Sequence, residues 1–397
     1  MTMVENSPAE TGQAVLERIR DLAPLIRQHA ADGERARRVP EEVITALKQA
    51  GAFGIAVPHR YGGTETDLRT MLDVSAAVAE ADGGAAWVVA LSNINAWVAA
   101  QTGGRLVDDF YGTGPDTVIA GVLAPSGQAR RVPGGYRVSG KWAYSSASLH
   151  ADWAYGGVSV LGDDETVIDQ AMVAIPRGEF HVEDTWYVAG MRASGSNTIV
   201  AEDVFVPEHR LIPVAPAMDG ANIGQHPDSA LYRSAMGPML VMVLVGPQLG
   251  LGRAALDIAI KGAGKSQAYT IFDRRGDSVA FQLLIAEAAV KVDTAHLHAY
   301  RACADVQRYA ERGEFPDLVA RARIRSDAGV ALRSINQALN LLLDANGSGS
   351  FAEVNALQRI WRDSNIAARH GVMLPHISME TYGKALVGGQ DQITHII

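Results

Sequence analysis

The sequence contains one cysteine, Cys303, among 397 residues, and aromatic residues make up only 6% of it. A lone cysteine excludes an internal disulfide and a cysteine-based metal site, and it fits a reducing compartment. Basic residues are outnumbered by acidic ones, 35 against 44, and no stretch gathers them into a stripe. The sequence therefore offers no electrostatic basis for binding nucleic acid.

Long hydrophobic runs and targeting segments are also missing. The N-terminal MTMVENSPAETG is polar, unlike a signal peptide. The most apolar run, residues 236–251, falls short of the ~20 residues that span a bilayer, and it contains Pro238 and Pro247. We expect a buried core helix here and no membrane contact, and hence a soluble, cytoplasmic protein.

The patterning that is present divides the chain into three regions. We predict an N-terminal helical domain over residues 1–116, a central β-domain over 117–228 and a C-terminal helical bundle over 229–397. The Ala- and Val-rich stretch 70–95 reads as one long buried helix, or as two helices broken at Gly83 and Gly84. The middle region has short β-branched runs separated by turn signals and no alternation with helices, which argues against a Rossmann domain. This pattern predicts an α+β fold.

Five motifs, in order, resemble those of the acyl-CoA dehydrogenase superfamily. They are VPEEVITALKQAGAFGIAVPHRYGG (39–63), GYRVSGKWAYSS (135–146), VAGMRASGSNTIVAEDVFVPEHR (188–210), FQLLIAEA (281–288) and WRDSNIAARHG (361–371). The resemblance implies that family's fold: a helical domain, a small β-barrel or sandwich, and a four-helix bundle. It also implies a homotetramer.

The end of the last motif indicates the branch of the superfamily. Acyl-CoA dehydrogenases carry a Tyr-Glu-Gly-Thr segment here, whose Glu removes the substrate proton, whereas this sequence has His370 and Gly371. A histidine at this position resembles the oxygenase components of two-component monooxygenases. The implied reaction uses reduced FMN (FAD is possible) and O₂, by way of a C4a-hydroperoxyflavin, to hydroxylate an aromatic, polycyclic or heteroatom-bearing small molecule. The implied partner is an NAD(P)H:flavin reductase.

The resemblance also implies roles for individual residues. Ser146 would hold the flavin N5 proton by a hydrogen bond, with Ser145 beside it, while Trp142 and Tyr144 would wall the isoalloxazine ring. His370 would donate a hydrogen bond or relay a substrate proton near neutral pH. Ser194 and Ser196 form a small-residue loop that would offer further donors to the cofactor. Arg274 or Arg275 would pair with the flavin phosphate, because guanidinium matches phosphate geometry, or both lie in a solvated loop.

Each of these residues also has a structural interpretation. Trp142 would by default be a core aromatic, Ser145 and Ser146 turn residues, and His370 a helix-capping residue. Asn93 and Asn95, polar on an apolar helix, line the substrate pocket or are core residues with satisfied hydrogen bonds. No metal site is expected. Two other functions stay open: an FAD-dependent acyl-CoA dehydrogenase and a non-catalytic family member.

Overall fold

Helices, then strands, then helices follow one another along the chain. The computed structural model describes residues 11–397. The first five helices are α1 (Gly12–Ala36), α2 (Glu41–Gln49), α3 (Leu68–Ala79), α4 (Gly83–Thr102) and α5 (Arg105–Tyr111). The strands are β1 (Ile119–Val132), β2 (Gly135–Ser145), β3 (Trp153–Leu161), β4 (Val167–Pro176), β5 (His181–Glu183), β6 (Asn197–Pro207) and β7 (Leu211–Pro213). The remaining helices are α6 (Val214–Met218), α7 (Met236–Met242), α8 (Val245–Lys261), α9 (Val279–Arg312), α10 (Leu318–Asn346), α11 (Ala356–Ala367) and α12 (Pro375–Leu386).

The stretch expected as one or two helices forms two, α3 and α4. Asp82 separates them, because its carboxylate accepts a hydrogen bond from the Ala85 N–H at 2.8 Å and starts α4 as an N-cap. Helix α4 is buried over most of its length. It runs through the middle of the protein, in contact with β1 on one side and α3 and α8 on the other.

The strands form one seven-stranded sheet in the order β5-β6-β2-β1-β3-β4-β7. Strand β1 pairs antiparallel with β2 and parallel with β3, and that parallel pairing is interrupted between Val122 and Gly127. The sheet curls around its own core, since Trp142 of β2 packs against Gly156 of β3 although β1 lies between the two strands. The curled sheet and its flanking helices confirm the expected acyl-CoA dehydrogenase-like fold.

The C-terminal bundle is built around α10, which packs against α8, α9 and α12. The apolar run expected to be too short for a membrane continues as a helical segment over Met236–Gly264, long and apolar enough to cross one by length and composition. Its most apolar window is nonetheless 78% buried inside the protein. The run lies in the core, as expected, but the helical segment is longer than expected, because the chain stays helical past Pro247 in the first turn of α8.

Candidate active site

Three buried serines form a hydrogen-bonded chain at the junction of the β-domain and α4. The hydroxyl oxygens of Ser146 and Ser196 lie 2.8 Å apart, and those of Ser196 and Ser194 lie 2.7 Å apart. Ser146 follows β2, whereas Ser194 and Ser196 belong to the loop before β6. The structure thus brings together three of the residues that the sequence indicated.

The two segments that carry the serines are held to each other by backbone hydrogen bonds. The Ala147 N–H donates to the Ser194 carbonyl at 3.0 Å, and the Ser148 hydroxyl donates to the Gly195 carbonyl at 2.8 Å. Gly195 has a φ of +55°, in the left-handed region that glycine tolerates best. Gly84 lets α4 approach this loop, since a Cβ there would lie 2.7 Å from that of Ala193.

Trp87, one turn into α4, links the serines to a histidine. Its indole N–H donates to the Ser146 hydroxyl oxygen at 3.1 Å. The centroid of its ring lies 5.7 Å from that of His370, at an interplanar angle of 60°. The sequence analysis missed Trp87; the available signal was a tryptophan in an Ala-rich helix, three residues after Gly84.

His370 lies in the turn after α11, where its N–H donates to the Ala367 carbonyl at 3.1 Å. The residue is half-buried, but its Nδ1 is fully enclosed and has no hydrogen-bond partner among residues 11–397. Burial lowers the pKa of His370 to about 4, so the imidazole is neutral at neutral pH. It then carries one N–H donor and one acceptor nitrogen.

Asp363, on α11, connects this helix to the loop that carries Ser194 and Ser196. Its carboxylate accepts a hydrogen bond from the Met191 N–H, and the neighbouring Arg362 pairs with Glu34 at 2.5 Å. Burial, together with the nearby carboxyl of Asp82, raises the pKa of Asp363 to about 7. The sequence marked this segment as a family motif, but it did not indicate that its carboxyl is buried.

Trp142 and Tyr144 were both expected to contact the isoalloxazine ring of the flavin, but their environments are opposite. Trp142 is 1% exposed, its indole N–H donates to the Gly157 carbonyl at 2.8 Å, and it fills the space left by Gly140 and Gly156. It is a core residue and has no surface to offer a cofactor, which corrects our expectation. Tyr144 has a φ of +64° and is 72% exposed, so its ring projects from the rim of the site.

Ser145, Arg274 and Arg275 also lie apart from the serine chain. The Ser145 hydroxyl donates to the Trp142 carbonyl at 2.9 Å, which makes it a turn residue. Arg275 donates to the side chain of Asn346 at 3.0 Å, and its N–H donates to the Lys265 carbonyl. Within one chain, Arg275 is therefore bound to the ends of α8 and α10, and Arg274 beside it is exposed.

Asn93 and Asn95 hold α4 in place. The Asn93 amide donates to the Ala52 carbonyl at 2.7 Å and the Val89 carbonyl at 2.9 Å, and the Asn95 amide donates to the Ile119 carbonyl at 2.9 Å. The Asn93 Oδ1 atom is buried without a partner in the described part of the chain. Contact of either side chain with a substrate stays a prediction.

Comparison with known proteins shows the family to which the chain belongs. Residues 9–105 match the family model "Acyl-CoA dehydrogenase, N-terminal domain", and residues 242–375 match "Acyl-CoA dehydrogenase, C-terminal domain". The chain is 31% identical to the flavin-dependent monooxygenase oxygenase subunit HsaA of Mycobacterium tuberculosis, over 96% of this chain and 97% of that one. It is 29% identical to the FADH₂-dependent resorcinol hydroxylase oxygenase component of a Rhizobium species, over 91% and 92%. The structure of XiaF from a Streptomyces species, in complex with FADH₂ and glycerol, superposes with a TM-score of 0.93 at 34% identity, covering 96% of this chain and 97% of XiaF.

Proposed function

We infer that this chain, which belongs to the acyl-CoA dehydrogenase family in its branch of oxygenase components of flavin-dependent monooxygenases, is the hydroxylating half of a two-component system. Reduced flavin and O₂ are its cosubstrates, and a flavin reductase is its partner. The observation that carries this function is the neutral His370 beside Trp87 and the serine chain. The usual base of an acyl-CoA dehydrogenase is a carboxylate at that position, as the family resemblance implies, and this chain has a histidine there, so the acyl-CoA dehydrogenase alternative is not favoured.

The residues around the serine chain suit a flavin. Tyr144 offers an exposed aromatic ring, and the nearby Ser146 and His370 offer polar atoms for the edge of a planar ring system. The Nδ1 of His370 has no hydrogen-bond partner among residues 11–397, so the histidine keeps a polar atom that no described residue satisfies. When bound, reduced flavin supplies the electrons that activate O₂.

The residues of this chain then orient and protect the reacting groups. Ser146 positions the flavin edge by a hydrogen bond, and His370 holds or relays a proton on the substrate at neutral pH. Trp87 walls the space between them and excludes water. We propose that the substrate is a phenolic ring, because a neutral imidazole bonds a phenolic hydroxyl as donor or acceptor and because one relative is named as a resorcinol hydroxylase.

Of the two flavins, we propose FAD as the natural one. The sequence led us to place FMN first, but one relative at 34% identity holds FADH₂ and another is named for its dependence on it. Anaerobic titration of the purified protein with each reduced flavin measures the preference directly. Tighter binding of reduced FMN would contradict the proposal of FAD and favour FMN, as we first expected.

The main experiment combines the purified protein with a flavin reductase, NADH, FAD and a panel of phenols. We expect hydroxylated product only when both proteins are present. Oxidation of NADH by this protein alone with added flavin would contradict the two-component assignment, and reduction of a dye by acyl-CoA substrates would favour a dehydrogenase.

Two matched pairs of variants test the residue roles. Ser146→Ala should divert NADH consumption from product to H₂O₂, whereas Ser145→Ala removes a buried hydroxyl from the same turn and should leave that ratio unchanged. His370→Gln should lose hydroxylation by ~10²-fold. His150→Gln is its control, because His150 also has a pKa lowered to about 4 by burial and lies beside Arg38 and Glu41 instead.

We also propose that the protein is a cytoplasmic homotetramer paired along α9. Four side chains on this helix are 63 to 72% exposed although apolar: Val279, Leu283, Val290 and Leu297. The last three repeat every seven residues and so form one stripe, typical of a helix that packs against another. The Arg274–Arg275 turn precedes this stripe and would reach a neighbouring subunit. Light scattering should report a tetramer that Val290→Asp dissociates, while Val167→Asp, at an exposed valine of β4, should not.

A further inference from the structure

We propose that Trp87, Ser196 and Ser194 are positioning residues: Trp87 and Ser196 fill the two lone pairs of the Ser146 hydroxyl, Ser194 orients Ser196, and the Ser146 proton is thereby turned toward the bound flavin or substrate. Ser146 would then act as a hydrogen-bond donor to an acceptor atom of the ligand. This inference rests on the proposed function and deepens it, because it assigns a direction to the hydrogen bond and names the residues that set it. The direction is opposite to the N5–H contact that the family resemblance implied.

The number of available protons limits how the serines can be arranged. An indole N–H only donates, so the Trp87 contact at 3.1 Å occupies one lone pair of Ser146 Oγ. Each of the three serines has one proton, and the two contacts between them use two of the three. One proton is left over, and it belongs to whichever serine donates to neither neighbour.

Burial decides which serine keeps the free proton. If Ser194 or Ser196 kept it, that proton would be buried with no acceptor, since neither hydroxyl has another bond in the described part of the chain. Ser146 is different, because it lies at the end of the chain that Trp87 contacts, and the ring of Trp87 also contacts His370, on the side where the proposed function places the ligand. The arrangement without a buried unpaired proton is therefore Ser194 to Ser196 to Ser146 to ligand.

Trp87 is placed to position both proposed catalytic groups at once. Its N–H fixes Ser146, and its ring contacts His370 at 5.7 Å between centroids. At 5% exposure and in the second turn of α4, it cannot move independently of the helix. Phenylalanine at this position would keep the ring contact and remove only the hydrogen bond.

The first experiment compares Trp87→Phe with Trp97→Phe. Trp97 is the matched control, since it is buried on the same helix and donates its indole N–H to the Leu231 carbonyl at 2.9 Å, away from the serines. Trp87→Phe should lower the ratio of product to H₂O₂ by about five- to tenfold, the effect expected from one lost hydrogen bond. Trp97→Phe should lower the melting temperature and leave that ratio unchanged. Equal ratios in the two variants would overturn the proposal.

A second readout needs no turnover. The visible circular dichroism of bound oxidised FAD reports the hydrogen bonds at the ring edge. We expect Trp87→Phe to change this spectrum in the same direction as Ser146→Ala, and Trp97→Phe to leave it as in the wild type. An unchanged spectrum in Trp87→Phe would contradict the role of its N–H.

The serine chain provides a test that is independent of Trp87. Product yield should fall most in Ser146→Ala, less in Ser196→Ala and least in Ser194→Ala, because each step along the chain is further from the ligand. Ser196→Thr keeps a hydroxyl and should restore the yield. Product yields that do not follow the order of the serines along the chain would refute the proposed hydrogen-bond chain, and so would a Ser196→Thr variant with the low yield of Ser196→Ala. An inactive wild-type protein would instead refute the proposed function, so the two failures are distinguishable.

Discussion

Replacing Asp363 by asparagine should make the protein more stable at neutral pH, and by an amount that depends on pH. Asp363 is 5% exposed, and Asp82, whose charge acts on it, is 6% exposed. Neither carboxyl forms an ion pair within residues 11–397. Asparagine has nearly the same shape and can still accept the hydrogen bond from the Met191 N–H.

The size of the effect follows from the pKa. Burial and Asp82 raise the pKa of Asp363 to about 7 in the folded protein, against 3.8 for the free side chain. This difference corresponds to about 4 kcal/mol, at about 1.4 kcal/mol for each pKa unit. Below pH 4 the Asp363 carboxyl is protonated in both the folded and the unfolded state, and it does not lower the free energy of unfolding. As the pH rises to 7 the unfolded state loses its proton first, so the folded state loses stability over this window.

Urea unfolding at pH 5, 6, 7 and 8 measures the difference between Asp363→Asn and the wild type. We expect the advantage of the variant to increase by about 1 kcal/mol for each pH unit up to pH 7 and then to level off. Asp317→Asn is the control, because Asp317 caps α10 through the Ala320 N–H at 2.8 Å and is exposed. An advantage that is constant from pH 5 to pH 8 would show that Asp363 titrates normally, and the reasoning would be wrong.

Three further outcomes can be checked by thermal or chemical unfolding. Tyr155→Phe should stabilise the protein by about 1 kcal/mol, since the buried Tyr155 hydroxyl has no partner in the part of the chain that the structure describes. Tyr232→Phe breaks a hydrogen bond at 3.1 Å and should destabilise the protein. Gly156→Ala should cost about 1–3 kcal/mol or more, because the new Cβ would lie 2.4 Å from the Trp142 ring. His370→Gln should make the protein less sensitive to acid: burial lowers the pKa of His370 to about 4, so the wild type loses stability as the pH falls from about 6.5 to about 4. A variant as acid-sensitive as the wild type would contradict that pKa.

Local patterns in the sequence were enough to predict the order of helices and strands, because each segment's hydrophobic period and turn residues are local properties. The break between α3 and α4 is an example: an Asp-Gly-Gly triplet supplies the cap, and the structure has it at Asp82. Burial of the carboxyl of Asp363 is the opposite case. It depends on Met191, more than 170 positions away along the chain, and no local pattern reports such a contact.

Trp142 and Tyr144 show how one irregularity changes an assignment. Two residues apart on a regular strand, they should face the same side of the sheet. The pairing of β2 with β6 shifts register between Trp142 and Ser145, and the positive φ of Tyr144 lies inside that shift. The bulge turns Tyr144 outward while Trp142 stays in the core. Sequence periodicity carries no signal for such a bulge, since neither residue is a glycine.

The short segment from Arg362 to His370 contacts both sides of the candidate active site. Asp363 holds the serine loop through Met191, and His370, seven residues later, contacts Trp87. Trp87 in turn donates a hydrogen bond to Ser146. The serines are therefore connected to α11 by two routes, one through Trp87 of α4 and His370, and one through Met191 and Asp363. Displacing α11 would therefore move His370 and the serine loop together. The part of Asp363 in this coupling is to accept the hydrogen bond from the Met191 N–H, and Asp363→Asn should therefore preserve it.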